Sequence, residues 1–179
     1  MLIERPRGAG TGIYVGNDRV LTAEHVVAGT TSLRVSFAGS VVGSGQVVKR
    51  DVPADLALLL VPGLDRAGAR ALRWGDSSAL QPGDPLVVVG YPLGVGLTVT
   101  TGIVSGLKRL AAVALVQTDA AVNPGNSGGP LLISGSHGNA VLPEVFGSGP
   151  TGRTATRTVR LPSRARSGSR CSCSRTRRP

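Results

Sequence analysis

The sequence predicts an all-β protein. Its apolar residues fall in short runs, no window sustains the stripe of a long helix, and 26 glycines and 12 prolines provide for many tight turns. In chain order, Ile13–Val15 reads as a first strand. Val20-Leu21-Thr22-Ala23 reads as a strand end running into Ala23–Ala28, at most a short turn of helix. Leu33–Phe37 and Val41–Val48 follow, then Leu56–Val61, a strongly apolar strand opened by a carboxylate. Leu86–Val89, Leu97–Val104, Val113–Val116 and Leu131–Ile133 complete the set, punctuated by Gly, Pro, Asp and Ser. Aromatics make up 3% of the chain, so the expected core is built from Leu and Val.

The apolar pattern stops after Ile133, apart from one weak stretch near Val141-Leu142. Residues 135–179 hold nine Arg, no Lys and a single acid, Glu144, a net of +8 out of the chain's +10. A segment of low hydrophobicity and high charge cannot offset the entropy of ordering, so a disordered tail is expected over 135–179 behind a folded unit at 1–134. Scattered Arg without aromatics or a periodic face points to loose charge attraction and to no specific nucleic-acid partner. The composition is also what high-GC coding DNA gives when read out of frame. Both cysteines lie in this tail as Cys171-Ser172-Cys173, too close together to pair well and lacking the rest of a zinc site.

Chemistry concentrates in Gly125-Asn126-Ser127-Gly128-Gly129-Pro130. A serine hydroxyl is a poor nucleophile alone. It needs a base for its proton and donors for the negative charge that develops on a carbonyl substrate. The flanking glycines open conformations closed to other residues, and the Gly125 and Ser127 N–H groups can then point at one oxyanion. Upstream, Val20-Leu21-Thr22-Ala23-Glu24-His25-Val26-Val27 offers His25 as the base; the other histidine, His137, sits in a poor context. Asp51-Val52-Pro53-Ala54-Asp55-Leu56-Ala57-Leu58 offers a carboxylate to hold the imidazole. Asp55, against the apolar run, is preferred to Asp51.

The order His, Asp, Ser, with Thr22-Ala23-Glu24-His25-Val26-Val27, Asp55-Leu56-Ala57-Leu58-Leu59 and Gln117-Thr118-Asp119-Ala120-Ala121-Val122-Asn123-Pro124 leading into the serine hexamer, resembles trypsin-like serine proteases of the HtrA/Deg type. Gly10-Thr11-Gly12-Ile13-Tyr14-Val15, Gly75-Asp76-Ser77-Ser78, Gly83-Asp84-Pro85, Gly90-Tyr91-Pro92-Leu93-Gly94 and Val99-Thr100-Thr101-Gly102-Ile103-Val104-Ser105 extend the resemblance from about Leu2 to Ile133. It implies a double β-barrel with the active site between barrels. Because the strands after the serine look missing or replaced, the second barrel is expected to be incomplete. About 130 ordered residues are also somewhat few for two full barrels. The resemblance implies an endopeptidase acting on unfolded or misfolded proteins through His25, Asp55 and Ser127, with an acyl-enzyme intermediate and an oxyanion hole at Gly125 and Ser127. It places Ala121, six residues before the serine, at the base of the specificity pocket. An alanine carries no charge for Lys or Arg, so small or medium aliphatic side chains are expected there. Asp119 could reach the pocket only if the loop is re-registered.

The chemistry needs no metal and no cofactor. The resemblance implies a homotrimer. The first residues lack an apolar signal region and no run reaches transmembrane length, so a cytoplasmic chain without a membrane segment is expected, although relatives are often periplasmic, secreted or anchored. No room is expected for the peptide-binding domain that often follows such proteases. A second reading from the broken C-terminus is a non-catalytic fragment that binds unfolded or acidic partners.

Overall fold

Alternation of buried and half-exposed residues builds the first sheet. The computed structural model describes residues 1–6, 8–75, 77–94, 96–110, 113–133, 140–147 and 155–159. The chain forms β1 (Leu2–Glu4), β2 (Ala9–Thr11), β3 (Ile13–Gly16), β4 (Arg19–Ala23), α1 (Glu24–Val27), β5 (Ser32–Phe37), β6 (Ser40–Asp51) and β7 (Leu56–Leu60). These seven strands make one sheet in the order β2-β1-β5-β6-β7-β4-β3. The two ends of that order are successive pieces of one stretch broken at Gly12, so the sheet curls back on itself. Strands β3 and β4 are joined by Asn17-Asp18, both at positive φ (52° and 55°), the geometry of a two-residue hairpin whose twist matches its strands. Inside lie Ile3, Val20, Val26, Val27, Val35, Leu59, Val61 and Leu64, all 2% exposed or less. Each such aliphatic side chain contributes about 1.5–3 kcal/mol by leaving water.

The second half contains β8 (Pro85–Gly90), β9 (Thr98–Leu110), β10 (Val113–Thr118), β11 (Pro130–Ile133), β12 (Ala140–Gly147) and β13 (Ala155–Val159). They close into a barrel in the order β10-β13-β12-β11-β8-β9. Leu86, Val88, Val104, Val116, Leu131 and Ile133 fill it. The expected all-β architecture of two sheets is therefore the observed one.

Strands from beyond Ile133 take part in the ring of the second sheet. Strand β12 pairs with β11 from Pro130↔Pro143 to Ile133↔Ala140, and β13 joins β12 to β10. Ladder hydrogen bonds come from the backbone, so a segment weak in apolar pattern can still close a sheet whose edges are open. The same two strands lie inside the expected tail of 135–179. The rest of that range, with His137 and Cys171-Ser172-Cys173, lies outside the described residues.

Candidate active site

The end of β4 feeds α1, and the first turn of α1 carries His25. This helix is only four residues long and Ala23 gives it no side-chain cap. Asp55 supplies the missing acceptors. Its main-chain carbonyl accepts the Glu24 N–H at 3.0 Å, and its Oδ1 accepts the His25 N–H at 3.0 Å. Its Oδ2 lies 2.9 Å from His25 Nδ1. An ionised carboxylate can only accept, so Nδ1 carries the proton in this pair and Nε2 is left as the basic nitrogen. The imidazole remains 43% exposed, whereas the Asp55 side chain is 16% exposed.

Asp55 reaches this place because it turns left-handed, at φ 53°, just before β7 begins. Among non-glycine residues Asp and Asn tolerate that region best. The other carboxylate, Asp51, faces a different task. Its Oδ1 accepts the Ala54 N–H at 3.1 Å and shapes the turn from the solvent side. Two arginines brace the helix. Arg5 donates from Nη1 to the His25 carbonyl at 3.0 Å. Arg50 pairs with Glu24 at 2.8 Å, donates to the Val27 carbonyl at 3.1 Å and also bonds the Thr30 carbonyl.

The serine turn approaches from the second sheet. Asn126 N–H donates to the Asn123 carbonyl at 3.0 Å, and Gly129 N–H donates to the Asn126 carbonyl at 2.9 Å. Gly125 and Gly128 sit at φ 104° and 80°. Space is as restrictive as conformation here. A Cβ on Gly125 would lie 2.3 Å from the Tyr91 carbonyl oxygen, and one on Gly128 would lie 2.2 Å from Thr22 Oγ1 and 2.8 Å from the Ala23 nitrogen. The residue after Ser127 thus packs directly on the strand end that leads to His25.

Ala121 is exposed, and its carbonyl accepts the Thr100 hydroxyl at 2.9 Å. Asp119 does not turn toward a pocket. Its Oδ1 accepts the Ile103 N–H at 2.8 Å, beside the register shift between Gln117 and Thr118. Gly102 makes room for it, since a Cβ there would meet Asp119 Oδ1 at 2.5 Å. Among the described residues no group of three or more His, Cys, Asp or Glu could hold a metal ion. None of the described helices is long and apolar enough to cross a membrane.

Sequence reasoning passed over Thr11. Its N–H donates to the Ser127 carbonyl at 2.8 Å, and its hydroxyl donates to the Gly125 carbonyl at 2.7 Å. The glycines on either side of it were the available signal.

Two all-β halves, with a histidine–aspartate pair ending one and a glycine-bound serine turn on the other, define the architecture of a trypsin-like protease. Comparison with known proteins agrees. The trypsin-like peptidase domain family matches residues 10–141, and the chain belongs to it. Its homologues are HtrA- and DegP-like serine proteases. It is 39% identical over 137 residues to the putative serine protease HhoB of Synechocystis, covering 72% of this chain and 32% of that protein. It is 38% identical over 130 residues to the periplasmic serine endoprotease DegP of Escherichia coli, covering 69% and 27%. The chain therefore spans about a third or less of these curated relatives. Among solved structures, the active form of the Rv3671c protease from M. tuberculosis superposes with a TM-score of 0.71 at 28% identity, covering 88% of this chain and 73% of that one. The HtrA-type protease AlgW with a tripeptide gives 0.70 at 28%, covering 85% and 52%.

Proposed function

We propose that the protein is a serine endopeptidase in which Ser127 is the nucleophile, His25 the base and then the acid, and Asp55 the group that orients the imidazole. The observation that carries this reading is the 2.9 Å contact between His25 Nδ1 and Asp55 Oδ2, which leaves Nε2 as the proton acceptor. Ser127 Oγ attacks the peptide carbonyl as Nε2 takes its proton. The Gly125 and Ser127 N–H groups bind the oxyanion. His25 returns the proton to the leaving amine, an acyl-enzyme forms, and water activated by His25 releases the acid.

Unfolded or misfolded proteins are the proposed substrates, by analogy with the HtrA-type relatives. Ala121 at the pocket base favours small or medium aliphatic side chains before the scissile bond. A homotrimer is proposed on the same resemblance. The test is cleavage of casein by the purified chain, with Ser127→Ala as control and a fluorophosphonate probe for Ser127. Cleavage and labelling lost together in Ser127→Ala support the mechanism. Cleavage that survives the substitution refutes it.

A further inference from the structure

Thr11 is 1% exposed and takes no part in the chemistry just described, yet four hydrogen bonds converge on it. Its N–H donates to the Ser127 carbonyl at 2.8 Å. Its carbonyl accepts the Thr22 hydroxyl at 2.7 Å. Its own hydroxyl donates to the Gly125 carbonyl at 2.7 Å and accepts the Tyr91 N–H at 3.0 Å. The direction of the last two is fixed, because a carbonyl can only accept and an amide N–H can only donate.

Flanking glycines bring the strand close enough for this. A Cβ on Gly10 would lie 2.5 Å from Val26 Cγ1, and one on Gly12 would lie 2.5 Å from Val20 Cγ1. The Gly10–Gly12 stretch therefore rests against α1, which carries His25, and against β4, which leads into it, while Thr11 reaches the serine turn.

The consequence follows from peptide geometry. In a planar trans peptide the N–H points opposite to the C=O. The Ser127 N–H shares its plane with the Asn126 carbonyl, held by Gly129 N–H at 2.9 Å. Thr11 holds the carbonyls of the peptides on either side of that plane, those of Gly125 and Ser127. The Gly125 N–H shares its plane with the Pro124 carbonyl, which Leu93 N–H holds at 2.8 Å. Thr11 also ties down the start of the Leu93 turn through Tyr91 N–H. The planes of the two oxyanion donors are thus held directly by Gly129 and Leu93, and Thr11 braces their neighbours, its hydroxyl on the Gly125 carbonyl and the Tyr91 N–H and its main-chain N–H on the Ser127 carbonyl.

We propose that Thr11 is a positioning residue of the oxyanion hole: it braces the two peptide planes that flank the Ser127 N–H, and through Tyr91 the turn whose Leu93 N–H holds the plane of the Gly125 N–H, and it touches no substrate. The proposal rests on the serine-protease reading above. Thr11→Val keeps the shape and removes the hydroxyl. It should lower kcat per active site, counted by fluorophosphonate titration, by about 10–100-fold, the scale of a sub-ångström to one-ångström misplacement. KM should stay within about threefold, since ground-state binding is spared. Thr11→Ser should restore most of the rate.

A merely structural role would instead reduce the number of titratable sites and leave the rate per site unchanged. Amide hydrogen exchange provides a readout independent of cleavage. The Tyr91 N–H loses its acceptor in Thr11→Val and should exchange about tenfold faster or more, with Gly129 following and the β7 amides unchanged. Wild-type kcat per site in Thr11→Val, equal loss in the Ser and Val variants, or unaltered exchange would each overturn the proposal. If the parent and Ser127→Ala are equally inactive, the protease reading fails, and exchange at Tyr91 and Gly129 still decides whether Thr11 holds the turn.

Discussion

Asp55→Asn separates the two jobs that one carboxylate performs. Oδ1 accepts a main-chain N–H of α1, and Oδ2 faces the imidazole Nδ1. Asparagine tolerates the left-handed φ of 53° as aspartate does, so the substitution brings no backbone strain of its own. Its amide oxygen can keep the bond to the His25 N–H. Its NH₂ then faces Nδ1, which must accept, and the imidazole proton moves to Nε2. In that tautomer His25 cannot take the Ser127 proton. The expected loss is about 10,000-fold in kcat, or about 5 kcal/mol of transition-state stabilisation. Because the cap survives, folding stability should change by less than about 1 kcal/mol. The assay is casein or peptide cleavage alongside urea unfolding, with Asp51→Asn as the control that leaves the rate unchanged. If Asp55→Asn retains kcat within about tenfold of the parent, Asp55 is a helix cap and not the partner of a catalytic base.

Two further perturbations probe the turn and the hairpin. Gly128→Ala combines a φ of 80° with a methyl group 2.2 Å from Thr22 Oγ1 and 2.3 Å from the Thr11 carbonyl oxygen. It should cost about 2–5 kcal/mol in urea unfolding and abolish Ser127 labelling, and an unshifted midpoint would show that the turn relaxes freely. Asp18 accepts backbone N–H groups from Asp65 and Gly63, which hold its carboxyl below the ordinary value of 3.8. Its stabilising contribution is therefore complete above that value and is shed as pH falls below it. Asp18→Asn should flatten the acid limb of a Tm–pH curve, and parallel curves for the two proteins would refute this.

Much of this fold is legible in the sequence because long strands with one buried face announce themselves. Leu56–Leu60 alternates between buried and half-buried, as does β8 from Leu86 to Gly90. Three-residue strands such as Leu2–Glu4 and Ala9–Thr11 are too short to show a period, and neighbours define them. The serine turn and the histidine are readable because their chemistry is local. That Asp55 and not Asp51 stands beside His25 depends on a positive φ that no spacing rule displays, even though an apolar run adjoins Asp55 in the sequence. Thr11 is harder still. Its importance lies in partners 80 and 114 residues away, and the glycines beside it signal a close approach without saying to what.

The C-terminal third gives the sharpest disagreement between pattern and structure, and it has a direct test. Composition places the end of the folded unit near residue 134. The barrel instead uses Ala140–Gly147 and Ala155–Val159, and without them β11 and β10 would each have an open edge. Val116, Leu131 and Ile133, all 5% exposed or less, line the barrel that these strands close. Each buried aliphatic side chain returned to water costs about 1.5–3 kcal/mol, and a domain's whole stability is about 5–15 kcal/mol. Exposing even two or three of them should therefore unfold the second half. A chain ending at Asn139 is expected to lose cooperative unfolding and Ser127 labelling relative to the full chain, as followed by circular dichroism and the fluorophosphonate probe. If it melts and labels like the parent, the barrel does not need β12 and β13, and the compositional boundary is the physical one.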